Sequence, residues 1–166
     1  MRRTAMQVSP GAVQRQYATD EVTRIAAGWL DAYGQDSQGV NTEAFMWHIF
    51  SGARYPSQSG AAAKSQYLQH VAHEYVVLSN DRKIAFTTNL RPETCSLSDY
   101  YVFPLNLAWT MAFTHEDGWL GPYFALHRDF EKLNQENVAK IRKEVEAENA
   151  RLKGWRRECG LTPRSS

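Results

Sequence analysis

The sequence predicts an α+β fold: an antiparallel sheet of about four to five strands packed against helices, with a long C-terminal helix. Three observations carry that reading. Short β-rich runs crowd the stretch from Glu74 to His127. The residues between them are turn formers, which joins neighbouring strands as hairpins and makes the sheet antiparallel. Segments with helical spacing of apolar residues lie before and after this block.

Bulk properties bound the class. A chain of 166 residues holds one domain plus appendages. A hydrophobic fraction of 43% fits a folded protein. The formal net charge of +1 gives no overall field for nucleic acid or an anionic membrane, so neither is expected as a partner. Cys95 and Cys159 are far apart and form no CxxC or zinc-type spacing. A reducing compartment is therefore expected, with no disulfide framework. Arg2 and Arg3 are not followed by an apolar run, and no stretch approaches a membrane span. The expected location is the cytoplasm.

The elements follow in order. Residues 1–17 are polar, contain Pro10 and Gly11, and read as a flexible N-terminal tail. Residues 18–128 form the α+β core domain. Within it, Asp20 is a plausible N-cap for a helix whose apolar stripe is Val22, Ile25, Ala26, Trp29, Leu30 and Tyr33. Gly34 is the expected C′ residue. The run from Phe45 to Phe50 is too short to distinguish a buried strand from the end of a helix beginning near Thr42. Gly60 to His73 reads as an Ala-rich helix with Ala62, Leu68, Val71 and Ala72 on its apolar side. Glu74–Leu78 and Lys83–Thr88 flank Asn80-Asp81 as a hairpin. Leu97 to Asp99 starts a short helical turn in a loop. Tyr100–Phe103 is a strand stopped by Pro104. Trp109, Met111 and Phe113 alternate with Thr110 and Ala112, and Tyr123–His127 is the hairpin partner across a Gly-rich turn. Residues 129–166 are a charged helix, capped by Asp129 and running to about Lys153, followed by a basic tail. Phe130, Leu133, Val138, Ile141, Val145 and Leu152 give that helix a broken apolar seam.

Candidate chemistry is sparse. His70, His73 and Glu74 share spacing that a metal can bridge, but three such residues in HxxHE order are more often surface groups, and no metal or other cofactor is expected. His115 and Glu116 sit at the tip of the last hairpin, with His48 and His127 as potential neighbours. A His, a Glu and an Arg can do general acid–base work on RNA. The competing reading is that Thr114, His115 and Glu116 order the turn through hydrogen bonds to its backbone. There is no GxSxG elbow and no phosphate loop. Trp119 stands apart from the other aromatics because it lies in a Gly-rich turn, where a core Trp is less expected. An exposed Trp is a favoured interface anchor.

The segments Met46-Trp47-His48-Ile49-Phe50-Ser51, Trp109-Thr110, Thr114-His115-Glu116, Gly118-Trp119 and Gly121-Pro122-Tyr123-Phe124 resemble the bacterial domain-of-unknown-function family 4275. In that family a WH-aliphatic-FS segment precedes a Gly/Ala-rich helix, and a WT…THE…GPYF element closes the domain. The resemblance spans Phe45 to His127. It implies the fold block and carries no activity with it. Leu120 stands where a Cys is often seen, which argues against a required thiol. The helix after His127 reads as an extension.

The leading expectation is an immunity-type protein that binds and neutralises a co-encoded bacterial toxin by occluding it. Its partner-binding residues would be Trp119, Glu116 and Asp117 on the hairpin tip, and Arg142 and Glu146 on the terminal helix. One alternative is a small nuclease or hydrolase using His115 and Glu116. Another is a dimeric regulatory protein joined through the terminal helix.

Overall fold

The computed structural model describes residues 6–160. Its elements in chain order are β1 (Val8–Ser9), β2 (Val13–Gln16), α1 (Thr19–Tyr33), α2 (His48–Ser51), β3 (Gln58–Ser59), α3 (Gly60–Gln69), β4 (Tyr75–Ser79), β5 (Ala85–Thr88), β6 (Thr94–Cys95), β7 (Tyr100–Phe103), β8 (Trp109–Phe113), β9 (Tyr123–Leu126) and α4 (Phe130–Glu158). The architecture is α+β with a long C-terminal helix. Seven strands form one antiparallel sheet in the order β2-β5-β4-β7-β8-β9-β3, and β1 pairs with β6 in a separate ribbon.

The sheet is wider than the four to five strands expected. Its five central strands are those visible in the sequence. The two added strands, β2 and β3, lie at the margins and carry the polar sequences VQRQ and QS. A marginal strand needs backbone pairing on one side only and can leave its side chains in water, so no apolar alternation announces it. The same point corrects the N-terminal tail. Within residues 6–17, Val8–Ser9 pairs with β6 and Val13–Gln16 with β5; residues 1–5 lie outside the described residues.

Both faces of the sheet are covered, because alternate side chains point to opposite sides. Val76, Leu78, Tyr101, Phe103, Ala112 and Ala125 face α1 and α2, where Trp29, Tyr33, Trp47 and Phe50 fill the layer. Tyr75, Val77, Val102, Trp109, Met111 and Phe124 face Ala63 and Tyr67 of α3, with Phe130 and Leu133 of α4 at the edge of that cluster. Each large side chain buried this way contributes roughly 1.5–3 kcal/mol of transfer free energy. One polar link crosses the first layer: the Trp29 indole N–H donates to the Thr110 hydroxyl at 2.9 Å, both residues being fully buried.

Several helix details depart from expectation. The N-cap of α1 is Ala18, two residues before Asp20. Glu21 explains the shift, since its carboxylate accepts the Ala18 backbone N–H at 2.9 Å and occupies a donor that the helix leaves free. Gly34 follows the helix with φ of −106°, so it is not the left-handed C′ residue expected. Of the Phe45–Phe50 run, His48–Phe50 belongs to α2, while Phe45 to Trp47 is an irregular turn rather than a strand. α3 stops at Gln69 and buries Ala63 and Tyr67, while Leu68 is 59% exposed. The aromatic ring, with its larger area, takes the sheet-facing position that the aliphatic side chain was expected to hold.

α4 runs to Glu158, beyond the expected Lys153, and Asp129 precedes it without a side-chain capping bond. Its 29 residues span about 43 Å. The first turns lie along one end of the sheet. There the Leu133 carbonyl accepts from Asn106 Nδ2 at 2.8 Å, and Asn137 Nδ2 donates to Asn106 Oδ1 at 3.2 Å. Glu144 meets His73. Every residue from 142 to 160 is exposed. Among the described residues, no helix is long and apolar enough to cross a membrane.

Candidate functional site

The β8–β9 hairpin has two ends with different fates. At the Trp109–Leu126 end the chain leaves into α4, and at the other end Ala112 pairs with Tyr123 and residues 114–122 form a tip. The tip is built from its own side chains. The Thr114 hydroxyl donates to the Leu120 carbonyl, and the N–H groups of Trp119 and Leu120 both donate to the Glu116 carbonyl at 2.9 Å. Gly121 has φ of +99°, and a Cβ there would meet Thr114 Oγ1 at 2.8 Å, so only glycine closes this turn. Asp117 pairs with Lys64 of α3 at 3.3 Å.

His115 is fixed at the base of the tip by Asp99. Its Nδ1 lies 2.9 Å from Asp99 Oδ2 and 3.0 Å from Oδ1, and its backbone N–H donates to Oδ1 at 3.1 Å. Asp99 is only 8% exposed, and its Oδ1 also accepts the indole N–H of Trp47 at 3.1 Å. Three donors thus converge on one buried carboxyl group, so its burial is compensated by hydrogen bonds. The floor below is hydrogen-bonded as well. The Tyr101 hydroxyl accepts the Trp47 backbone N–H and donates to Asn80 Oδ1, both at 2.8 Å. Burial pushes the Tyr101 phenol well above its ordinary pKa, so it stays neutral in these bonds.

The Asp99 hydrogen bond raises the His115 pKa above its ordinary value, and the Asp99 and Glu116 charges add to that effect. Glu116 Oε1 stands 3.6 Å from His115 Nε2. Asp99 therefore holds the proton on Nδ1 and leaves Nε2 at the half-exposed side of the ring. Such a group can pass a proton or pair with an incoming anion. The walls are aromatic: the rings of Phe45 and Trp47 lie 5.1 and 6.3 Å from the His115 ring. The same two rings pack on His48 at 5.4 and 4.6 Å.

Trp119 caps the tip and is 86% exposed, with Glu116 and Asp117 close in the same turn. His115, Glu116, Asp117 and Trp119 therefore share one structural unit, and His48 borders it. His127 does not. It lies at the far end of the hairpin, where its ring packs on Tyr33 and its Nδ1 accepts the Asp129 N–H at 3.0 Å. Arg142 and Glu146 are exposed on α4, which follows that same far end past Asn106 and His73. The two expected contact surfaces, the hairpin tip and the terminal helix, thus lie toward opposite ends of the β8–β9 hairpin. His70 and His73 are likewise engaged apart: His70 packs on Phe124 and Phe130, while His73 meets Glu144. Among the described residues, no three His, Cys, Asp or Glu side chains are grouped as metal ligands would be.

Asp99 was missed by the sequence reading, which placed it in a helical turn. The signal lies in register: Tyr100 pairs with Phe113, so Asp99 falls opposite Thr114 and beside His115. Local sequence alone does not fix that pairing.

No curated protein sequence and no solved structure matches the chain. A family model described as "Domain of unknown function (DUF4275)" matches residues 31–124, from the last turn of α1 into β9 and short of α4. That is more than half of the sequence and includes Asp99 and the whole tip, so the protein belongs to the DUF4275 family.

Proposed function

We propose that the protein is a cytoplasmic, immunity-type binding protein that neutralises a co-encoded bacterial toxin by covering it with the β8–β9 tip. The observation that carries this reading is Trp119. A tryptophan is among the most buried side chains on average, and exposing 86% of one leaves a large apolar ring in water. The ring stands on a base tied down by Asp99, Lys64 and Thr114, so little conformational entropy is lost when a partner covers it. Glu116 and Asp117 beside it supply negative charge that suits a basic surface, such as the substrate cleft of a toxin that acts on nucleic acid. Co-expression with the protein encoded next door tests the idea. The expected result is a stable complex and rescue of growth, both lost on Trp119→Ala. A neighbour that forms no complex and whose toxicity is unchanged sinks it.

A second reading rests on the Asp99–His115 pair. A buried carboxylate that orients an imidazole is an arrangement used in general acid–base catalysis, and Glu116 stands next to the free nitrogen. In a small nuclease or hydrolase, His115→Ala would abolish turnover of RNA while leaving the fold intact. Purified protein that leaves RNA untouched over a broad pH range removes this reading.

A further inference from the structure

The distal part of α4 has a regularity that the whole helix hides. Phe130, Leu133 and Asn137 belong to the part lying against the fold. From Val138 onward, the apolar positions larger than alanine are Val138, Ile141, Val145, Leu152 and Trp155, then Cys159 just past the helix. With Glu148 included, the intervals alternate three and four residues throughout. That is the heptad spacing of a coiled-coil seam, with a single polar interruption. Glu148 is the one gap in the seam, and Trp155 continues it beyond Leu152.

Ile141 is half-buried, but from Val145 onward the stripe has no partner within the described chain. Val145 is 54% exposed and Trp155 56%, and all residues from 142 to 160 are exposed. Most helical stability in proteins comes from packing an apolar face, and the exposed apolar stripe is area that a second helix removes from solvent.

We propose that α4 pairs with α4 of a second copy of this chain as an antiparallel coiled coil centred between Val145 and Glu148. Charge selects both the partner and its direction. In a parallel pair, Glu148 faces its own copy in the seam, and the flanking positions bring Arg151 of one chain beside Arg156 of the other. Both contacts are repulsive. In the antiparallel register the seam layers are Val138 with Trp155, Ile141 with Leu152, and Val145 with Glu148. The small Val138 then meets the large Trp155, and each Glu148 sits against a valine rather than another carboxylate. The flanking positions place Glu144, which also meets His73 of its own chain, beside Arg151 of the other chain, twice by symmetry. Arg151 already holds Glu148 at 2.6 Å within its own helix. It would therefore neutralise the one acidic seam residue as well as Glu144 across the pair. This interface uses the face of α4 remote from the tip and is independent of what the tip binds.

Sedimentation of the full chain tests the proposal. The expected species is a dimer at micromolar concentration. Val145→Asp, on an exposed helix face that the fold does not need, should leave a folded monomer. Arg151→Glu should weaken association roughly tenfold, because exposed charge pairs are individually weak but two are lost and two repulsions replace them. Adding Glu144→Arg to that variant should restore the dimer only in the antiparallel register. Oxidation gives a second reading of direction: a parallel pair aligns Cys159 with its copy and crosslinks readily, whereas the antiparallel pair holds the two thiols at opposite ends. A monomer at the highest soluble concentration, a dimer unchanged by Val145→Asp, or rapid Cys159 crosslinking each overturns the proposal.

Discussion

Asp99 grips His115 twice, through the ring nitrogen Nδ1 at 2.9 Å and through the backbone N–H at 3.1 Å, and so joins the end of β7 to the base of the hairpin tip. The same carboxylate accepts the buried indole N–H of Trp47. Asp99→Ala should cost about 1–3 kcal/mol, because it leaves that indole donor without an acceptor in the core. Asp99→Asn keeps an oxygen for Trp47 and should cost less. Denaturant unfolding of the two variants checks the order; equal losses would show that the Trp47 bond is not the larger effect.

The raised His115 pKa has a definite sign for stability. The folded value lies above the ordinary 6.5, so the Asp99 bond contributes stability that is fully present below about pH 6.5. That contribution is lost as pH rises through the elevated folded value. The ring proton signals of His115 should titrate above 6.5, and Asp99→Asn should bring the midpoint back down. A midpoint at or below 6.5 in the unmodified protein contradicts the geometry.

Trp119 separates binding from folding. Trp119→Ala should change stability by no more than about 0.5 kcal/mol, as an exposed tip residue. Its effect on a partner complex should reach about 2 kcal/mol or more if it is the central anchor. Calorimetric titration with the partner, alongside a thermal melt, measures both on one sample.

Gly121→Ala should loosen the tip without unfolding the sheet. The added methyl meets Thr114 Oγ1 at 2.8 Å in a left-handed backbone, a conformation that costs an L-residue about 1–2 kcal/mol. Faster amide exchange at Trp119 and Leu120, with β4 and β7 unchanged, is the expected signature.

The Trp29–Thr110 bond can be isolated by a double-mutant cycle. Trp29→Phe and Thr110→Val each strand a buried polar group, while the double variant removes both. The coupling should be about 1 kcal/mol, the usual net value of a neutral hydrogen bond. A coupling near zero would reduce the pair to packing alone.

The central strands were legible because they are β-rich and apolar, with Trp109, Met111 and Phe113 at alternate positions, and because turn residues punctuate them. The α1 stripe was legible for the same reason at helical period. What stayed hidden depended on partners distant in sequence. β2 pairs with β5 across some seventy residues and shows only VQRQ locally. Tyr67 outcompetes Leu68 for the sheet because the space beneath α3 suits a ring, which no helical pattern encodes. At the site, Glu116, Asp117 and Trp119 were legible as a turn. Asp99 was not, since its role exists only once β7 and β8 are in register.

The two margins of the large sheet have a consequence for the molecule in concentrated solution. One ends in a two-residue strand and the other in a bulged strand whose Arg15 is tethered to Glu21 and Tyr17. Neither presents the long, flat, apolar backbone row on which a foreign strand can template. Fibrillar growth by strand addition is thereby discouraged at both ends, and self-association is channelled toward side-chain surfaces, where point substitutions can reverse it.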